Sequence, residues 1–149
     1  LCVMPKCYRM MEQINADTES HKMGAAISSP MFTFGNIGYK TYFDDDHNPT
    51  QRYMSFVIWE NLINTAPVDD NIENLPFVGP CECISTISLG HGNGIIEFDL
   101  DGMIKHASSL GYGHLGYYYA FYIYAAPGGN SYGNGIVDYY KIYMPVKKQ

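Results

Sequence analysis

The chain has 149 residues, of which 46% are hydrophobic and only 16% charged, enough apolar material for one compact core and too little length for two. Its formal net charge is -6 and its nine basic residues are scattered, which excludes a nucleic-acid surface built from clustered Lys and Arg. No apolar run reaches the ~18 residues of a membrane-crossing helix, so the expectation is one globular domain over residues 1–149 without membrane insertion.

Cysteines stand out at the start of the chain. Cys2 and Cys7 lie at the N-terminus and Cys81 and Cys83 form a C-x-C pair, an even set that suits two disulfides with three pairings formally open. A bridge within Cys81-x-Cys83 is strained, because same-face neighbours on a strand lie ~6.5–7 Å apart. The preferred reading ties both N-terminal cysteines to the C-x-C pair, which makes residues 1–27 a disulfide-tethered segment and first strand. A closed zinc site is the competing use of the four thiols, although their spacing departs from the usual paired C-x2-C. The chain begins at Leu1 with neither the basic start nor the apolar core of a signal peptide. It therefore reads as processed or cut from something longer, and both fit secretion.

Tyr8 to Ile14 carries at most two turns of helical periodicity. Turn residues then recur at short intervals: Ser29-Pro30, Gly35-Asn36, Asp44 to Pro49, Ala66-Pro67, Gly79-Pro80, Gly90 to Gly94, Pro127 to Asn130 and Gly133 to Gly135. Aromatic and β-branched runs fill the gaps, the pattern of an antiparallel all-β sandwich. In Tyr53 to Trp59, the even positions Met54, Phe56 and Ile58 should face the core. In Cys83 to Leu89, Ile87 and Leu89 share a face with Cys83. Gly102 to Leu110 offers a second short helix. Tyr117 to Tyr124 is apolar on both sides and suits a central strand. Asp138 to Val146 turns Tyr140, Ile142, Met144 and Val146 inward and Lys141 outward, with Pro145 limiting it to a sheet edge or a strand end.

Chemistry-bearing motifs are few. Asp44, Asp45 and Asp46, followed by His47 and Asn48, are a weak metal candidate; a solvated hairpin loop competes, with the turn preferences of Asp and Asn in its favour. Asp99-Leu100-Asp101-Gly102 matches half of a calcium loop and lacks the rest. His21, His47, His91, His106 and His114 are dispersed, and no nucleophile and base stand at a telling spacing. His91 lies in a glycine-rich stretch better suited to a strand-to-strand turn than to a phosphate cradle. No catalytic residue and no cofactor are expected. The 14 tyrosines exceed an ordinary share, and an amphipathic ring suits a contact surface. The expected binding residues are Tyr139 and Tyr143, opposite the core side of the last strand, with Tyr118 and Tyr122 in the central run.

Several segments, read in order, resemble the MATH domain shared by TRAF C-terminal domains and the meprins. Ser28-Ser29-Pro30-Met31-Phe32 and Gly38-Tyr39-Lys40 are similar to its Ser-Pro-x-Phe and Gly-Tyr-Lys segment. Tyr53 to Val57 is similar to a following strand, Leu75-Pro76-Phe77 to its Trp-Pro-Phe, and Ile84 to Leu89 to the next strand. Leu110-Gly111-Tyr112-Gly113 resembles its Gly-x-Gly bend, and Asn130-Ser131-Tyr132 with Asp138 to Val146 resembles its closing segment. The resemblance implies a single antiparallel β-sandwich of seven to eight strands. Its core would draw on Phe32, Tyr39, Phe56, Ile58, Phe77, Ile87 and Leu89. Around Tyr8 to Met11 the family's Trp is missing, and Asp44 and Asp46 stand near the positions where TRAF proteins present an Arg and a Tyr to a peptide groove. The intracellular receptor-tail mode is thus not implied. The four cysteines point instead to the extracellular, meprin-like branch.

The expected function is a secreted, disulfide-stapled, non-catalytic module that binds an extracellular protein or a second copy of itself. From another class, a lectin-like sandwich would stack glycans on surface tyrosines, with the acidic loop holding calcium. A structural matrix or adhesive component is a third reading, resting on the Tyr and Gly content alone.

Overall fold

The computed structural model describes residues 1–28, 34–65, 74–90, 96–127 and 136–149. Its strands are β1 (Cys2–Met4), β2 (Cys7–Arg9), β3 (Ile14–Asn15), β4 (Asn36–Phe43), β5 (Pro49–Trp59), β6 (Phe77–Val78), β7 (Cys81–Gly90), β8 (Ile96–Glu97), β9 (Tyr112–His114), β10 (Tyr117–Pro127) and β11 (Ile136–Lys148). The described residues also form a four-residue helical turn, α1 (Gly24–Ile27), a ten-residue helix, α2 (Leu100–Ser109), and short 3-10 turns at Ser20–Met23 and Glu60–Leu62. The all-β, antiparallel expectation holds. The strands join in one eleven-stranded sheet curled into a half-barrel, where the sequence pointed to two facing sheets.

The curl has a local cause. Along the sheet the order is β1-β7-β11-β10-β4-β5-β2-β6, so β1 and β2 lie near opposite ends although only Pro5 and Lys6 separate them. Only Gly79 and Pro80 separate β6 from β7 in the same way. Cys2 pairs with Cys83 and Met4 with Cys81, and the same register continues through Cys7 with Val78 and Tyr8 with Phe77. One bent two-stranded ribbon therefore joins both ends of the sheet. Gly79 at the bend has φ +76°, and a Cβ there would stand 2.9 Å from the carbonyl oxygen of Pro5, so only glycine suits the place.

Tyr117 to Tyr124 is central, as expected, held between β4 and β11. The expectation of an edge for Asp138 to Val146 is corrected: β11 runs between β7 and β10, and Pro145 is fully buried. A proline is tolerated there because residue 145 falls where pairing on that side passes from β10 to β9. Its carbonyl accepts from the Leu115 N–H at 3.3 Å, and the missing N–H interrupts no ladder. Of the two stretches that could have been short helices, Tyr8 to Ile14 is not one. Its two ends are strands paired with β5, β2 setting Cys7 opposite Trp59 and β3 setting Ile14 opposite Met54.

One face of the sheet is covered by α2. Met103 and Ala107 pack onto Phe43, Ile84, Tyr118, Ala120, Ile142 and Met144. The helix begins at Asp99, whose Oδ1 accepts the Gly102 N–H at 2.9 Å, so the half calcium loop is an N-cap. Farther along, Ile14, Ala16 and Met23 cover Met54 and Phe56 on the same face. The inward set Tyr140, Ile142, Met144 and Val146 is buried as expected, and so are Met54, Phe56 and Ile58. Tyr39 is half-buried against this core. Ile87 and Phe77 correct the expected core, being 59% and 58% exposed. β7 presents Ile84 and Ser88 to the covered face, which sends Ile87 to the other. Phe77 sits on the bent ribbon against the Tyr8 ring and under the Lys6 ammonium. Phe32 lies outside the described residues, as do Ser29 to Met31, Ala66-Pro67, His91 to Gly94 and Asn130 to Tyr132.

Candidate functional site

The second face of the sheet is concave and aromatic. Strand register places Gly38, Lys40 and Tyr42 of β4 beside Ser55, Tyr53 and Gln51 of β5 on one side. On the other side they meet Phe121, Tyr119 and Tyr117 of β10, which lead on to Lys141 and Tyr143 of β11. Ring centroids follow one another at 5.6 Å from Tyr42 to Tyr117 and at 5.6 Å from Tyr117 to Tyr119. They continue at 6.1 Å to Phe121 and 6.0 Å to Tyr143, while Trp59 leans on Phe121 at 4.7 Å. The centre of this ladder is core, since Tyr119, Phe121 and Val57 are buried among Met4, Cys7 and Cys83. Its rim is open.

Cations sit on these rings. Lys40 Nζ stands 4.2 Å from the Tyr117 centroid and 4.8 Å from that of Tyr42, within cation–π range. Lys141 Nζ lies 5.7 Å from the Tyr143 ring. The alternation Gly38-x-Lys40-x-Tyr42 was the sequence signal for this row, masked by the more conspicuous Tyr39, which faces the other way onto Tyr140 at 6.0 Å. Burial, with neighbouring phenols and thiols, pushes the Tyr119 hydroxyl well above its usual range.

The four tyrosines singled out from the sequence divide between the faces. Tyr139 and Tyr143 are half-buried on the open face, Tyr139 stacked on Tyr124 with centroids 4.8 Å apart. Tyr118 is buried beneath α2, between Phe43 and Phe98, and so belongs to the core. Tyr122 is half-buried on that same side, its ring 5.8 Å from that of Tyr140. The Tyr140 hydroxyl donates to Asp138 Oδ2 at 2.8 Å within the core.

All four cysteines converge where β1 and β2 meet β7. Cys2 lies opposite Cys83, while Cys7 and Cys83 are fully buried in one cluster with Cys2 and Cys81 beside them. All four are free thiols, so the bridges expected from Cys2 and Cys7 to the C-x-C pair are not shown, and Cys81 Sγ stands 3.6 Å from Cys83 Sγ, against ~2.05 Å for a disulfide. Burial, reinforced by Cys81, pushes the Cys7 thiol up to about 12, and burial raises Cys81 and Cys83 as well. Thiols held protonated in this way are poor nucleophiles and poor ligands at neutral pH. Among the described residues no group of three or more His, Cys, Asp or Glu is arranged to hold a metal.

Asp44, Asp45 and Asp46 form the turn between β4 and β5. The Asp44 carboxylate accepts the N–H groups of Asp46 and Asn48, at 3.0 and 2.9 Å, and its side chain is thereby spent on the loop. His47 follows with φ 64°, and its Nδ1 lies 2.5 Å from Asp101 Oδ1, tying the hairpin to the first turn of α2. Nothing in the sequence marked this pair, whose members are far apart in the chain. Compared with family models, curated proteins and solved structures, this chain matches none.

Proposed function

We propose that the chain is a non-catalytic binding or assembly module, secreted and of the MATH-like kind its sequence resembles, which engages an extracellular protein through the open face of its sheet. The observation that carries this reading is a patch of exposed apolar side chains around Tyr139. Ile87 is 59% exposed and pairs across from Lys141, Tyr124 is 52% exposed and stacks on Tyr139, and Ile123, 44% exposed, lies with Lys141 and Tyr143 around one shallow depression. Contiguous exposed apolar area of this kind marks contact surfaces, and tyrosine is among the residues that such surfaces favour. Oxidation of Cys2, Cys7, Cys81 and Cys83 outside the cell belongs to the same reading. The converged thiols support it, since both N-terminal cysteines already lie beside the C-x-C pair.

The test replaces Ile87 by Glu together with Tyr139 by Ser. The double variant should melt like the unaltered chain yet lose more than about tenfold in affinity, either for itself in sedimentation equilibrium or for a protein retained from native extracellular fluid at high salt. Unchanged association with lowered melting temperature removes this surface from consideration. Non-reducing peptide mapping of native material examines the secreted, oxidised state separately, and four free thiols would count against it.

A further inference from the structure

Three aromatic side chains from β5, β10 and β11 frame a depression on the open face. Gly38 of β4 lets two of them meet: the Phe121 ring lies across it, where a Cβ would come within 2.8 Å, and so reaches Trp59 at 4.7 Å. Tyr143 stands on the other side of Phe121, 6.0 Å from its ring. Phe121 is buried and serves as the floor, while Trp59 and Tyr143 are half-buried and form the sides. The depression is open to solvent and holds about 330 Å³, with Ile123, Lys141 and Asn36 at its margin.

Hydrogen-bonding character narrows the ligand. Among the described residues, the Trp59 indole N–H, the Tyr143 hydroxyl and the Lys141 ammonium donate to no protein acceptor. Side-chain acceptors are scarce. The lining has no carboxylate, and Asn36 spends its amide N–H on the Tyr122 carbonyl at 2.7 Å while its Oδ1 is enclosed. A sugar, whose hydroxyls all donate as well as accept, finds little to donate to here. A peptide in the polyproline II conformation is the better complement, because its carbonyls are free of internal hydrogen bonds and each proline removes a backbone N–H that would need an acceptor. Its apolar rings dock on aromatic walls, and one turn of about 9 Å matches the short row from Trp59 over Phe121 to Tyr143.

We propose that this depression binds a proline-rich segment in the polyproline II conformation, its rings between Trp59 and Tyr143 and its carbonyls accepting from the three donors. The inference rests on the reading of the open face as a protein-binding surface and names the kind of segment that surface takes.

Trp59 is the only tryptophan in the chain and so reports on the site directly. A proline decapeptide with blocked ends, titrated into the whole chain and followed by Trp59 fluorescence and calorimetry, should bind saturably, one-to-one. A Gly-Ser decapeptide should bind more than about tenfold more weakly. Lys141→Met/Tyr143→Phe, which removes two donors and keeps the apolar walls, should lose a similar factor at unchanged melting temperature. No saturable binding of the proline peptide, equal binding of the two peptides, full binding by the folded double variant, or binding of N-acetylglucosamine in place of the peptide overturns the proposal. The comparison of peptides uses the unaltered chain and so holds whatever the stability of the variant. Ile87→Glu/Tyr139→Ser alters no lining residue and should keep proline-peptide binding. If that variant loses protein association while the unaltered chain ignores the proline peptide, the protein-binding reading stands and this inference falls.

Discussion

The two faces of the sheet are built from the same kinds of residue and differ in what lies over them. On the covered face, Tyr118 and Tyr140 are buried with Ile142 and Met144 beneath Met103 and Ala107 of α2, and the Tyr140 hydroxyl is satisfied by Asp138. On the open face, Tyr117, Tyr139 and Tyr143 form a rim with Lys40 and Lys141 above the rings. Burial converts tyrosine into a core residue only where a polar partner accompanies it, whereas at a rim the same side chain keeps its hydroxyl in water. Tyrosine count therefore says little about function until each ring is assigned to a face.

Truncating one side chain on each face gives the largest contrast. Met144→Ala on the covered face should cost about 2–5 kcal/mol, the range for emptying a fully buried site, while Ile87→Ala on the open face should stay within ~0.5 kcal/mol. Urea unfolding of both variants checks the difference, and equal losses would show that the open face is covered too. Next in size is Asp138→Ala, which leaves the Tyr140 hydroxyl buried without that acceptor and should cost about 1–3 kcal/mol. Asp138→Ala/Tyr140→Phe should recover part of that loss in the same experiment.

Alkaline pH sharpens the comparison from the thiol side. The Cys7 pKa rises from an ordinary 9.0 to about 12 in the folded chain, so above pH 9 the unfolded chain gives up its proton first. The stability tied to that thiol is complete below about pH 9 and is lost as the pH climbs to about 12. Tyr39, Tyr119 and Tyr140, also raised by burial, add to the loss from about pH 10. A melting temperature that falls over this window, and falls less steeply in Cys7→Ala, is the expected result. The smallest effect belongs to the acidic turn: Asp44→Ala should cost about 1 kcal/mol through its lost backbone hydrogen bonds, and Asp45→Ala or Asp46→Ala within ~0.5 kcal/mol. Thermal melts with and without millimolar calcium measure both, and a calcium-dependent rise would restore the metal reading of this loop.

Alternation along a strand was legible in the sequence because it is a property of the backbone. Tyr140, Ile142, Met144 and Val146 had to share one face, and Tyr139, Lys141 and Tyr143 the other, whatever surrounds them. The antiparallel, turn-punctuated architecture and the central place of Tyr117 to Tyr124 followed from the same local signals. Neighbours across the sheet were not legible, because long-range pairing depends on the register of strands distant in the chain. Pro145 therefore suggested an edge, and only the arrival of β9 beside residue 146 showed why a central strand tolerates it. Ile87 resembled a core residue until the covered face of β7 proved to be that of Ile84 and Ser88. The meeting of Cys7 from β2 with Cys83 from β7 likewise exists only in the folded sheet, since it is made by strands distant in the chain.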